Sequence, residues 1–401
     1  MAGHLATTNQ QSGIEWQEFN RTVLSKRHEY KGIFIQEVNI DWNVPLFQRP
    51  QHMATALARL GYLVIYKTVN WSADSVNGFQ QLAENLWLTN RCEVDNIEGA
   101  VRSIYSTAYA TSPKKLAKRA ASGVTVYEYI DHIDAAISGD AENMRRLNEL
   151  KTFALNGGAD VIVASAKALF DEIHALNLEQ NLLLVPNGVD TDHYRSQQHE
   201  QYTLPKEYTE FAARYDVIVG YFGAIAPWLD YGLVDQVVSQ KFDVGFIFIG
   251  PDYYGGLDRL PKAENFRYVE PVPYDTLPAF AKYFDVCLIP FAPGEIAQST
   301  SPLKLFEYFA LEKPVVVTSD MFECTAYEEV LSADSAVGMS DSIDKAIAIK
   351  DDPNFKAKLR ELADTNSWLE RAKHLEWAFS LVGRRKKLGE FSFVTGMRQE
   401  P

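Results

Sequence analysis

Short apolar segments alternate with longer amphipathic ones along almost the whole chain, and the alternation stops once and restarts. In the first half the apolar runs are Gly32–Val38, Leu63–Val69, Leu86–Asn90, Val124–Ile130, Asp160–Ser165 and Leu182–Asn187, and Arg49–Leu60 reads as an amphipathic helix between the first two. A polar interval, "DTDHYRSQQHEQYTLPKEYTE", follows and reads as an interdomain connection. Five more runs then appear: Asp216–Gly223, Val244–Gly250, Asn265–Glu270, Asp285–Phe291 and Pro314–Ser319. Strands too short to be helices, separated by helical segments, specify parallel α/β structure. Two such series predict two Rossmann-like, doubly wound parallel-sheet domains, residues 1–195 and 210–367, facing each other across a cleft at the carboxyl ends of their strands. The segment after Trp368 is helical with an apolar face (Trp368, Leu369, Ala372, Leu375, Phe379) broken by Glu376, and it has no strand partner. Residues 368–401 are therefore expected to pack back on the first domain.

Bulk properties narrow the partner. At 401 residues the chain has room for two domains, and 46% hydrophobic with 23% charged residues is a globular balance. A formal charge of −14 argues against nucleic acid and fits a small anionic ligand held by local donors. Cys92, Cys287 and Cys324 are too scattered for a disulfide framework or a zinc site, which suits a reducing cytoplasm. No signal-like segment or membrane-spanning run is visible. The basic run Arg384–Lys387 reads either as a solvated tail or as a peripheral contact with the inner face of the cell membrane.

Chemistry concentrates in "QSTSPLKLFEYFALEKPVVVT", Gln298–Thr318. Ser301 is a suitable N-cap and Pro302 a suitable first helical residue. Leu303, Phe306, Phe309 and Ala310 recur at core-facing spacing, while Ser301, Lys304 and Glu307 form a polar stripe beside them. Helix-start amides and the Lys304 ammonium suit phosphate groups, and Glu307 suits the two hydroxyls of a ribose. A nucleoside diphosphate would satisfy all three. An exposed Lys–Glu pair on a surface helix is the plainer alternative.

"TSPLKLFEYFALEKPVVVT" resembles the C-domain signature of the GT-B glycosyltransferases of family 4, the group 1 transferases. "LLLVPNGVDTDHY" is similar to that family's passage into the second domain, and "NFRYVEPVPYDTLPAFAKYFDVCLIPF" to its base-binding turn with the helix and strand that follow. The three occur in the family's order. The resemblance implies transfer of a sugar from a nucleotide donor bound in the C-domain to an acceptor on the N-domain. It places Glu307 at the ribose, Thr300, Ser301, Pro302 and Leu303 at the distal phosphate, Tyr268 and Val269 at the base, and Gly223 in the turn after the first C-domain strand.

The chain also departs from the family pattern. Ser299 stands where the first glutamate of the Glu-x7-Glu motif belongs, and Glu295 in the same loop is the nearest carboxylate. The turn after Gly223 contains Trp228 and Asp230 where the family has an Arg and a Lys. Lys304 is the expected substitute cation, with Arg49 reaching across the cleft. "NVPLFQRPQH" replaces the family's Gly-Gly turn, so Arg49 and His52 at a helix start are candidates for donor phosphate or acceptor hydroxyl, against a capped surface helix. Asp131 and His132 follow a strand end on the cleft side, where one of them would orient the acceptor or stabilise developing positive charge; a strand-end histidine can equally be packing alone.

"DTD" at Asp190–Asp192 resembles a metal motif, but its setting favours a connecting loop, and no other cluster has ligand spacing. No metal and no cofactor are therefore expected, and no hydrolase, P-loop or dinucleotide motif is present. The leading reading is a retaining transferase using a nucleotide-diphosphate sugar, UDP-linked, and acting on a glycan or lipid-linked glycan in surface polysaccharide synthesis. A non-catalytic nucleotide-sugar-binding scaffold and a nucleotide-sugar epimerase on the same fold are the alternatives.

Overall fold

The structure is a computed structural model that describes residues 13–108, 111–120, 123–134, 138–178, 181–196 and 201–388. The remainder of the predicted tail, 389–401, lies outside the described residues.

The first sheet contains β1 Ile33–Glu37, β2 Leu63–Lys67, β3 Phe79–Ala83, β4 Leu86–Thr89, β5 Val101–Tyr105, β6 Val124–Tyr129, β7 Val161–Ala164 and β8 Asn181–Leu184. Their order is β3-β4-β2-β1-β5-β6-β7-β8, parallel except for the β3–β4 pair. The second sheet contains β9 Ile218–Phe222, β10 Gly245–Ile249, β11 Phe266–Val269, β12 Val286–Ile289, β13 Val315–Val317 and β14 Val330–Ser332. It is wholly parallel, in the order β11-β10-β9-β12-β13-β14. Most of these strands are buried along their whole length, as strands covered by helices on both faces must be.

Three strands had no counterpart in the sequence reading: β3, β5 and β14. β5 matters most, because it lies between β1 and β6 at the centre of its sheet. Its sequence, VRSIY, places Arg102 and Ser103 where an apolar run would announce a strand. Both are buried because the fold supplies partners. The Arg102 guanidinium donates to the carbonyls of Val94 (3.2 Å), Asp95 (2.9 Å) and Ile97 (3.0 Å). Ser103 donates to Glu128 on β6 and accepts from Gln36 on β1 at 3.3 Å. Buried polar groups persist only when so matched.

Six helices bear on the site: α1 Arg49–Arg59, α2 Thr191–Arg195, α3 Tyr231–Gln240, α4 Glu295–Ser299, α5 Leu303–Ala310 and α6 Trp368–Leu388. The crossing between domains comes earlier than the polar interval suggested. Val189 and Tyr194 already belong to the second domain's core, so the passage is made by residues 185–189 and α2 follows it. A return crossing at residues 366–368 runs beside it. The Val189 amide donates to the Asn366 carbonyl (3.1 Å) and the Trp368 amide to the Val189 carbonyl (3.0 Å). Gly188 permits this approach, since a Cβ there would meet the Asn366 carbonyl oxygen at 2.5 Å.

α6 lays Trp368, Ala372, Leu375, Ala378, Phe379 and Val382 into the core of the first domain. Glu376, the acid interrupting that face, is satisfied by Lys31 (3.2 Å) and the Tyr62 hydroxyl (3.0 Å). Leu369, expected on the same face, is 39% exposed. Within the basic run, Lys386 donates to Asp160 (2.7 Å) and to the Gly123 carbonyl (2.9 Å), so at least this cation is engaged in the fold.

Trp368 is 3% exposed and stacks on His52 at 5.1 Å. Trp368→Ala should cost about 3–5 kcal/mol, read as a lowered urea midpoint. An unchanged midpoint would show that α6 is not part of the first core.

Candidate active site

A cavity of about 460 Å³ opens where the carboxyl ends of the two sheets face each other, within the roughly 300–1,000 Å³ usual for small-ligand sites. The first domain contributes the turn after β1 (Asn39, Ile40, Pro45 to Arg49), Thr107 after β5, and Ile130 and Asp131 after β6. The second contributes Gly223 after β9, Gly250 after β10, Pro271 and Val272 after β11, and the start of α5. Strand order thus brings together residues more than 250 positions apart in the chain.

The polar stripe of α5 faces this cavity. Pro302, in extended conformation (φ −75°, ψ 127°), takes the capping position and Leu303 begins the helix. Ser301 is therefore not the cap. Its hydroxyl accepts from the Asn187 amide at 3.4 Å, and its carbonyl accepts from Asn187 Nδ2 at 2.6 Å. The Leu305 amide donates to the Pro302 carbonyl at 3.2 Å, which leaves the Leu303 and Lys304 amides for a ligand.

Lys304 and Arg49 are the cationic residues among those lining the cavity. The Lys304 ammonium lies 5.3 Å from the ring centroids of both Tyr221 and Phe291 and has no salt bridge among the described residues. Burial lowers its pKa to about 8, with Glu307 pulling the other way. Gly223 makes room for it: at φ +138°, a Cβ there would stand 2.7 Å from Lys304 Cε. Glu307 is 7% exposed, and burial raises its carboxyl to about 7 against the opposing influence of the Tyr194 hydroxyl and Lys304.

Arg49 does not reach across the cleft. It is the first residue of α1, capped by Gln48 and Gln51, and two of its three guanidinium nitrogens are engaged, Nη2 having no hydrogen-bond partner among the described residues. Nε donates to Glu128 (2.9 Å), and Nη1 donates to the carbonyls of Val185 (2.9 Å) and Pro186 (3.2 Å) and to Asn187 Oδ1 (3.2 Å). Asp131 lines the cavity nearby; burial raises its carboxyl to about 7, with Arg49 opposing.

Several expected site residues lie elsewhere. His52 is enclosed by Trp368, Phe47 and Tyr274, and burial drives its pKa down to about 3, so it is a neutral packing residue. Asp230 caps α3 by accepting from the Leu233 amide at 2.9 Å. Ser299 donates to the Glu295 carbonyl at 2.6 Å and is absent from the cavity wall. Tyr268 donates to the Gly250 carbonyl at 2.9 Å, and Val269 remains within β11, so the wall near that strand is made by Pro271 and Val272 instead. His132 and Glu295 meet at the rim, 3.8 Å apart, one from each domain. Trp228, Thr300, Pro302 and Leu303 do line the cavity. In "DTD", Asp190 caps α2 and pairs with Arg59 at 3.0 Å.

Sequence reasoning passed over Asn187, although "PNG" was in view, and the stack of Phe47 on Tyr274 (4.8 Å) that bridges the domains. It also passed over Tyr254, 81% exposed on the cavity wall with φ +62°, a conformation unusual for a bulky side chain.

No family model matches the chain. The chain is 26% identical over 260 residues to TuaH of Bacillus subtilis (strain 168), a protein assigned to teichuronic acid biosynthesis as a glycosyltransferase. That match covers 61% of this chain and 63% of TuaH, less than two thirds of the relative's length. Among solved structures, the E. coli trehalose-6-phosphate protein bound with UDP-2-fluoro glucose aligns with TM-score 0.64 at 9% identity, covering 87% of this chain and 99% of that one. Sucrose-phosphate synthase from Thermosynechococcus elongatus aligns with TM-score 0.64 at 14% identity over 88% and 99%. Anabaena Alr3699/HepE in complex with UDP-glucose aligns with TM-score 0.57 at 14% identity over 87% and 99%. The fold is GT-B. At these identities the alignments carry the fold and nothing finer.

In the free protein Asp131 should titrate near pH 7. Carbon-13 NMR of labelled aspartates is expected to show one carboxyl titrating there and missing in Asp131→Asn. A spectrum in which every aspartate titrates below pH 5 would contradict the burial described.

Proposed function

We propose that the protein is a family 4 type glycosyltransferase that takes a sugar from a UDP-linked donor, with retention, and places it on a glycan or lipid-linked glycan during surface polysaccharide synthesis. The observation that carries this reading is the start of α5, where the Leu303 and Lys304 amides, the Lys304 ammonium and the Glu307 carboxylate bear on one cavity. The amides and Lys304 receive the diphosphate, and Glu307 accepts hydrogen bonds from the ribose hydroxyls. As the bond to the leaving diphosphate breaks, Lys304 and the amides stabilise the charge that develops on it, a task needing no metal. Asp131, across the cavity, is suited to orient a hydroxyl of the donor sugar or the acceptor. The likeness to TuaH and to folds seen with UDP-sugars supports the donor and the acceptor class. Work at the cytoplasmic face of a membrane fits this acceptor, and among the described residues no helix is long and apolar enough to cross one.

Ser299 favours a second reading, a nucleotide-sugar-binding subunit without turnover, because it stands where the resembled motif carries its first glutamate. Assays of purified protein with UDP-, GDP- and dTDP-sugars separate the two. Donor cleavage or transfer that survives EDTA supports the transferase, whereas tight binding with no turnover of any donor supports the subunit.

Lys304→Ala should weaken UDP binding by about 10- to 100-fold, the worth of one charge-assisted hydrogen bond. The pH dependence has a definite sign. Above about 8 Lys304 loses its proton, and the diphosphate loses its counter-charge. Below about 7 Glu307 gains a proton and accepts less well from the ribose. Calorimetric affinity for UDP should therefore peak between these values, and the alkaline limb should vanish in Lys304→Ala. Equal affinity in both proteins across this range would rule out the assigned cradle.

A further inference from the structure

Two tyrosines on the second-domain wall of the cavity have no part in the cradle at α5. Tyr253 and Tyr254 both line the cavity, and they stand together in the loop after β10 with ring centroids 6.5 Å apart and planes at 69°. Tyr253 is half-buried, whereas Tyr254 is largely exposed and has φ +62°. A tyrosine keeps a left-handed backbone only where the surrounding structure fixes it. Here the Ile225 amide donates to the Pro251 carbonyl (2.8 Å) and the Tyr253 amide to the Ile225 carbonyl (2.9 Å), which binds the loop to the turn after β9. Asp252 closes the loop by accepting from the Leu257 amide at 3.3 Å. Gly256 permits the close approach, since a Cβ there would meet the Ile225 carbonyl oxygen and the Tyr231 hydroxyl at 2.4 Å each. The two rings are thus carried by a braced loop, so a ligand that packs on them has little ordering left to supply.

Their position says which part of a ligand they would meet. β10 and β11 pair in parallel from Phe246 with Phe266 to Ile249 with Val269, so the loops that follow them leave the sheet side by side. The Tyr268 hydroxyl ties the two by donating to the Gly250 carbonyl (2.9 Å). The loop after β11 adds Pro271 and Val272 to the cavity wall, and none of the lining residues from these two loops is charged. A diphosphate finds no counter-charge on this wall, whereas a planar, weakly polar base finds aromatic faces to pack on. The edge of a base also needs hydrogen bonds. Val272 can supply them, because its main-chain N–H and C=O make none among the described residues. A donor and an acceptor on one residue complement the C4 carbonyl and N3–H of uracil. They mismatch cytosine, which presents an amino group at C4 and an acceptor at N3.

We propose that Tyr253 and Tyr254 form the stacking platform for the nucleobase of the donor, with the main chain of Val272 reading the edge of the base. The proposal rests on the nucleotide-sugar reading above. It is tested by calorimetry on the full chain with UDP, CDP and inorganic pyrophosphate as probes. UDP should bind at least tenfold more tightly than pyrophosphate and about tenfold more tightly than CDP. Tyr253→Ala and Tyr254→Ala should each weaken UDP about tenfold while leaving pyrophosphate affinity unchanged. Tyr254→Phe, which keeps the ring, should retain most of the UDP affinity. Unchanged UDP affinity in either alanine variant overturns the platform, and the donor reading survives that result if Lys304→Ala still weakens UDP. Equal loss in Tyr254→Phe and Tyr254→Ala also overturns it, because the hydroxyl and not the ring would then be responsible. CDP bound as tightly as UDP overturns the role given to Val272. A protein that binds neither UDP nor pyrophosphate overturns the donor reading and the platform with it.

Discussion

Asn187 uses all of its hydrogen-bonding groups at the point where the chain leaves the first domain. Its amide and Nδ2 donate to the hydroxyl and carbonyl of Ser301, its Oδ1 accepts from Arg49, and its carbonyl accepts from Arg371 Nε at 3.2 Å. One buried residue therefore ties the segment that enters α5 to the first domain's α1 and, through its main-chain carbonyl, to the returning α6. Arg371 also donates to Asn366 in the other crossing. The relative placement of the cavity walls depends on this junction, because a buried, fully matched amide tolerates little displacement before a partner is lost.

Electrostatics at the site follow from what the junction consumes. Arg49 offsets Glu128 and holds the crossing through Nε and Nη1, which leaves only its Nη2 without a partner. Trp228 stands on the wall where the family resemblance had led a basic residue to be expected. Lys304 is left as the uncommitted cation on the cavity wall, resting on two aromatic rings with Gly223 yielding the space. Burial lowers Lys304 and raises Glu307, bringing both within reach of neutrality. An arriving diphosphate would restore the full charge on the lysine, which concentrates the affinity on that group.

Much of this was legible in the sequence, and the boundary of legibility has physical causes. Parallel strands buried on both faces read as unbroken apolar runs, so nearly every one of them stood out. β5 did not, because Arg102 and Ser103 are paid for by carbonyls and a glutamate supplied from other elements. Lys304, Glu307 and Gly223 could be found because helix periodicity and strand ends fix which way they point. The roles of Asp230, Ser299 and His52 could not, since capping, a side chain turning onto its own backbone, and aromatic enclosure are settled by tertiary neighbours. Asn187 was hidden for the same reason: its partners come from three distant segments.

The most direct test of the account is a crystal structure of the protein with UDP bound. The account predicts the terminal phosphate within hydrogen-bond distance of Lys304 Nζ and of the first amides of α5, with the ribose hydroxyls on Glu307. A diphosphate held by other residues, with Lys304 turned away from it, would contradict the central claim.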